Sequence, residues 1–180
     1  MRLIPAMMCL ALALNGCRAT SPTQPEFDPL LTAIEHRLDL AVSVATHKWK
    51  LTLPVQAPER EQQVLAKVRQ DAPDYDLDPP RAAAFFSDQI EANKLVQYTL
   101  IDRWNALGSQ PTSTSRDLVH ELRPRLDTLQ ATLLDELRRF DLLDMRDCPK
   151  KLASALQQRT NDPLRHIALV RATAQLCVKS

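Results

Sequence analysis

The sequence predicts an all-α protein, a helical bundle of about six helices. Three observations carry that prediction. Only two glycines, Gly16 and Gly108, occur in 180 residues, too few for the turns a sheet needs. Strong helix formers (Leu, Ala, Gln, Glu and Arg) are abundant. Apolar residues recur at helical spacing, and no strand-like alternation rises above noise. The length suits one domain with a sizeable core, and there is no internal repeat.

The elements follow in chain order. Arg2 and the twelve apolar residues Leu3 to Leu14 read as an export signal, too short to span a bilayer as a mature helix. Leu14-Asn15-Gly16-Cys17 resembles a lipoprotein cleavage box, which makes Cys17 a candidate lipid acceptor; ordinary cleavage after Ala19 is the alternative. Residues 1–19 are thus assigned to the signal, and residues 20–27, with Pro22 and Pro25, to a disordered tether. Residues 28–180 form a single domain, with 28–105 as its central part and 116–180 as its C-terminal helices.

A first helix is expected from Asp28 to Leu53, with Pro54 and Pro58 bracketing a short loop. A second runs from Pro58 to Gln70, its proline in the first turn and Glu59 complementing the N-terminal dipole. Asp78-Pro79 marks the start of a third, an N-cap aspartate followed by a proline, continuing to Asn105. Gly108 to Ser115 is a polar linker. The fourth helix spans Arg116 to Leu143, with a kink or a delayed start at Pro124. Two shorter ones, Pro149 to Gln158 and Pro163 to Val178, complete the chain, the last capped by Asp162.

Composition narrows the function. A net charge of +1 leaves no basic surplus for nucleic acid. Cys9 lies in the signal, so Cys148 and Cys177 remain as an even pair in a compartment that permits disulfides. They form a disulfide, or else stay as two buried thiols. His36, His47, His120 and His166 show no ligand spacing with them, so no metal site is expected, and these histidines are read as surface or interface residues.

The first helix carries an anomaly. Leu30, Ala33, Ile34, Arg37, Ala41, Val44, Lys48 and Leu51 form one apolar stripe, and two cations interrupt it. Eleven residues separate them, so they share a face, about 16 Å apart along the axis. An unpaired buried cation is costly, so something anionic should meet them. The third helix repeats the pattern: Asn93 and Gln97 sit in the stripe of Phe86, Ile90, Leu100 or Ile101, and Trp104. One such amide alone reads best as a satisfied core residue. Two amides and two cations on separate helices point instead to a polar pocket in the bundle. Arg60 and Glu61 open the second helix, where alone they would read as a solvated pair. Arg123 edges the Leu122, Leu126, Leu129, Leu133 stripe of the fourth. Such a pocket has no Ser/His or Cys/His pairing. It suits a small dianion gripped by arginines, with a cation and an amide left to stabilise charge that develops elsewhere.

The spacing Arg37, Lys48, Arg60-Glu61, Asn93, Gln97 resembles the all-helical chorismate mutases. Ile34-Glu35-His36-Arg37-Leu38, His47-Lys48-Trp49, Leu53-Pro54, Pro58-Glu59-Arg60-Glu61, and Phe85-Phe86 with Gln89 through Gln97 are similar to their exported, monofunctional (gamma) subclass. The similarity is good over residues 28 to 105 and looser to the Cys148–Cys177 pair, which also looks like that subclass.

The resemblance implies an isomerase that rearranges chorismate to prephenate, towards phenylalanine and tyrosine, without any cofactor. It implies that Arg37, Arg60 and Arg123 hold the substrate's carboxylates. Lys48 and Gln97 would donate to the ether oxygen, Glu61 would accept from the ring hydroxyl, and Asn93 would assist at a carboxylate. Arg125 is the alternative to Arg123. Asn93 departs from the serine or threonine common in the family. Ala57 departs from its usual aspartate, leaving Glu61 a larger share of the hydroxyl contact. Periplasmic export (or a lipid anchor or secretion) and a homodimer with one site inside each protomer are implied too. The rival reading is a non-catalytic exported binding module that keeps the fold as a remnant.

Overall fold

In a computed structural model the protein is described over residues 24–109, 111 and 116–178. The signal, the cleavage box with Cys17 and residues 20–23 of the tether lie outside these residues. Among the described residues six α-helices make up the bundle: α1 (Asp28–Lys50), α2 (Pro58–Asp71), α3 (Pro79–Leu107), α4 (Arg123–Asp141), α5 (Cys148–Arg159) and α6 (Pro163–Ala172). No strand occurs among the described residues. Helix α3 is the axis, packing against α1, α2 and α6, while α4 covers α1 from the other side. Between them Leu30, Leu31, Ile34, Leu38, Phe85, Phe86, Leu133, Leu134 and Leu137 are almost wholly buried, each contributing roughly 1.5–3 kcal/mol through burial.

Several boundaries differ from expectation, each for a local reason. The tether's last residues belong to the fold. Pro25–Phe27 forms a 3-10 turn, and Phe27 is fully buried against Phe140, ring centroids 5.5 Å apart. Helix α1 stops at Lys50 rather than Leu53. Thr52 takes a left-handed conformation (φ 52°), and the Leu53 N–H turns back to the Lys48 carbonyl at 2.8 Å. Pro54 disfavours helix at the preceding residue. Leu51, expected in the buried stripe, is therefore exposed. Helix α3 runs two residues further, to Leu107, and ends on Gly108 in the left-handed region (φ 57°), where glycine is unstrained.

The delayed start at Pro124 holds. Asp117 caps a single π-helical turn, Leu118–Leu122, through the His120 N–H. The α-helix begins at Arg123, with Pro124 in its first turn, where no N–H is needed. Helix α6 ends at Ala172 instead of Val178 because side chains of α3 take its later backbone groups. Arg81 donates to the carbonyls of Gln175 (2.6 Å) and Leu176 (2.8 Å), Gln89 donates to the Ala172 carbonyl (2.7 Å), and Asp88 accepts from the Gln175 N–H (2.8 Å). The Cys148–Cys177 disulfide joins this turn to the start of α5.

Candidate active site

One cleft, walled by α1, α2, α3 and the start of α4, gathers Arg37, Lys48, Arg60, Glu61, Asn93, Gln97 and Arg123. Its apolar lining comes from Val44, Val55, Val64, Ile90, Leu118 and Leu126. Helix period explains the convergence. Arg37, Val44 and Lys48 lie on one face of α1, and Ile90, Asn93 and Gln97 on one face of α3. The π turn and Pro124 set the phase of α4 so that Arg123 and Asp127, one turn apart, face the cleft. Arg125 instead faces a separate surface groove with His36, Asp39 and Leu40.

The cations of α1 are buried without full compensation. Arg37 is 7% exposed and its Nε has no hydrogen-bond partner. Burial lowers its pKa to about 10, Asp127 opposing and Arg60 adding to the shift. Lys48, 8% exposed, donates to the Val55 carbonyl at 2.6 Å. Its pKa is also lowered, first by burial and then by Arg123 and Lys94, with Glu61 opposing. Opposite them, Asn93 is tied to the Gln89 carbonyl at 3.2 Å, while Gln97 keeps a buried Oε1 with no partner. Unsatisfied buried polar groups are rare in folded proteins, and here two of them border the same cleft.

Arg60 and Glu61 do not pair with each other. Arg60 meets Asp127 at 2.8 Å across to α4. Glu61 accepts from the Ala57 N–H (3.1 Å) and from Lys94 (3.1 Å). Burial would raise its pKa, but those two bonds and the charges of Lys94 and Lys48 outweigh it, so the carboxyl titrates below its ordinary range. Lys94, Asp127 and the buried Gln130 also line the cleft, and none was singled out in the sequence. Asp127 was legible in principle as the residue one turn after Arg123. Gln130 is tied outward to Asp71 at 3.4 Å. Among the described residues no three His, Cys, Asp or Glu side chains group as metal ligands would.

Chemically, the cleft offers several cations, three amides and two carboxylates in a largely apolar setting. Among the described residues that line it there is no nucleophile–base pair. It is built to hold a small anion and to stabilise charge that moves within it.

Relatives agree with that description. The sequence pattern of chorismate mutase type II matches residues 28–98. The chain is 34% identical to the secreted chorismate mutase of Mycolicibacterium smegmatis, over 88% of this chain and 90% of that one. It is 30% identical to the secreted chorismate mutase of Mycobacterium tuberculosis, over 97% and 89%. The chain belongs to the chorismate mutase family. Its fold superposes on the crystal structure of a chorismate mutase from Burkholderia phymatum with a TM-score of 0.80, at 39% identity, covering 86% of this chain and 97% of the other. In a member of this family, the absence of a nucleophile–base pair from the cleft fits an isomerase whose reaction is a rearrangement within one molecule.

Proposed function

We propose that this chain is an exported chorismate mutase that rearranges chorismate to prephenate in the cleft between α1, α2, α3 and α4. Chorismate carries two carboxylates, an ether bridge and a ring hydroxyl. Arg37, Arg60 and Arg123 supply the cations for the carboxylates, with Asn93 assisting at one of them. Lys48 and Gln97 donate to the ether oxygen as its C–O bond breaks and negative charge gathers there. Glu61 accepts from the ring hydroxyl. No proton transfer or covalent intermediate is needed, so the barrier falls through conformer restriction and electrostatic stabilisation.

The observation that carries this reading is the convergence of Arg37, Lys48, Arg60 and Arg123 with Asn93 and Gln97 on one cleft. An anion balances buried cations whose charge the protein itself meets only in part. The secreted relatives support export, and the protein is assigned to the outside of the inner membrane, either free or held by lipid on Cys17. A homodimer with a whole site in each protomer is the assembly the family resemblance implies, and a single chain already brings Arg37, Arg60 and Arg123 to the cleft. The test is direct: purified protein at micromolar concentration is mixed with chorismate, and loss of chorismate absorbance is followed. Turnover is expected. Binding without turnover would leave the non-catalytic module in its place.

A further inference from the structure

Glu61 is anchored from two sides. The Ala57 N–H reaches its Oε1, and the Lys94 ammonium reaches its Oε2, each at 3.1 Å. Lys94 is anchored in turn by Glu91, three residues back on α3, at 2.7 Å. The Lys94 side chain is only 15% exposed and faces the cleft, yet the roles assigned above leave it without one.

We propose that Lys94 is a positioning residue that holds the Glu61 carboxylate ionised and aimed at the substrate's ring hydroxyl, an inference that rests on the chorismate mutase reading. A carboxylate has about four lone-pair sites. The Ala57 amide and Lys94 occupy one on each oxygen, so both oxygens are fixed while acceptor capacity remains for the hydroxyl. Without Lys94, only the Ala57 amide would fix the group, through a single oxygen. The loss matters more here because Ala57 brings no carboxylate of its own to share the hydroxyl. A plain role in attracting the dianion fits Lys94 less well: it sits between two carboxylates, Glu61 and Glu91, which neutralise it. The other charged groups lining the cleft are Arg37 and Lys48 from α1, Arg60 from α2, and Arg123 and Asp127 from α4. Of these, Lys48 also favours the ionised form of Glu61, so removing Lys94 weakens that preference without abolishing it.

The test is the pH profile of kcat/KM for chorismate between pH 4 and 8. Lys94→Met should move the acid limb up by about one pH unit, so that at the acid end its kcat/KM, scaled to its plateau, falls up to about tenfold below that of the wild type scaled likewise. Lys94→Arg should restore the wild-type profile. In a Glu61→Gln background, Lys94→Met should add no acid limb and less than about a twofold further loss, because coupled residues are non-additive. A loss equal at every pH, an unchanged profile, or the same loss in the Glu61→Gln background overturns the proposal. Should Lys94→Met fold poorly, Lys94→Gln, which keeps a donor but not the charge, reads the same limb, shifted in the same direction. Inactive wild-type protein overturns the parent reading and this one with it. Active wild-type protein with an unmoved limb overturns this one alone.

Discussion

Arg37 and Arg81 are equally buried, each 7% exposed, and they live in opposite circumstances. Arg81, at the start of α3, makes two bonds to the Asp141 carboxylate (3.2 and 2.9 Å) and donates to the carbonyls of Gln175 and Leu176. Its charge and its donors are met by the protein itself. Arg37, on α1, has an orphaned Nε and a pKa pulled down to about 10, chiefly by burial. One arginine closes the fold; the other is the one proposed to meet a carboxylate of the substrate. Burial of a cation therefore says little until its partners are counted, and the unmatched one marks the site.

The sharpest way to break that contrast is at Lys48, which shares Arg37's situation. Lys48→Ala should cost about 3–4 kcal/mol of barrier, a fall of several hundredfold in kcat, because a donor to a developing oxyanion is worth about that much. KM should change far less. Retained turnover would remove Lys48 from the transition state. Next in size is the C-terminal clamp. Reducing the Cys148–Cys177 bond opens a link across 29 residues and should lower stability by about 3.5 kcal/mol, read as a drop in Tm with kcat unchanged on the protein that stays folded. Arg81→Met should destabilise by roughly 3 kcal/mol, since it strands Asp141 and two carbonyls. Arg37→Met should lower Tm far less than Arg81→Met, because it relieves the cost of a buried charge and loses only the attraction of Asp127, while substrate binding collapses. Equal Tm losses in the two arginine variants would end the distinction between them.

The sequence revealed this contrast only in part. Arg37, Lys48, Asn93 and Gln97 stood out because they interrupt apolar stripes, a signal that periodicity makes visible. Arg81 did not, since it follows Asp78-Pro79-Pro80 in the first turn of α3, where a charged residue looks ordinary. Its partners Asp141, Gln175 and Leu176 lie 60 or more residues away. The same long reach hid the early end of α6. Lys94 and Asp127 were hidden for a related reason: their significance lies in pairing across helices, with Glu61 and Arg60, and local spacing carries no trace of that. Helix count and core were legible because each element declares itself locally through caps, prolines and apolar period. Phe27 is the exception, an isolated aromatic among prolines whose burial depends on α4.

The smallest effect concerns acidity, and it separates Gln97 from the charged groups around it. Gln97 carries no proton that titrates, so the donation to the ether oxygen proposed for it should be the same at every working pH. Glu61 titrates below the ordinary carboxylate range and is ionised throughout. Arg37, at about 10, stays charged. Profiles of kcat/KM for the wild type should therefore vary by less than about threefold between pH 5 and 8, and a tenfold fall across that range would sink the assignment of Gln97. The upper limb belongs to Arg37 and to Lys48. Burial lowers the pKa of Lys48, so activity should decline with rising pH earlier than an ordinary lysine would dictate, as the ammonium loses its proton. Gln97→Glu inverts the lower half of the profile. A carboxyl at this 5% exposed position must be protonated to donate, so the variant should be best in acid and lose activity as pH rises through neutrality. A Gln97→Glu enzyme with a flat profile would mean that the ether oxygen takes its hydrogen bonds from Lys48 alone.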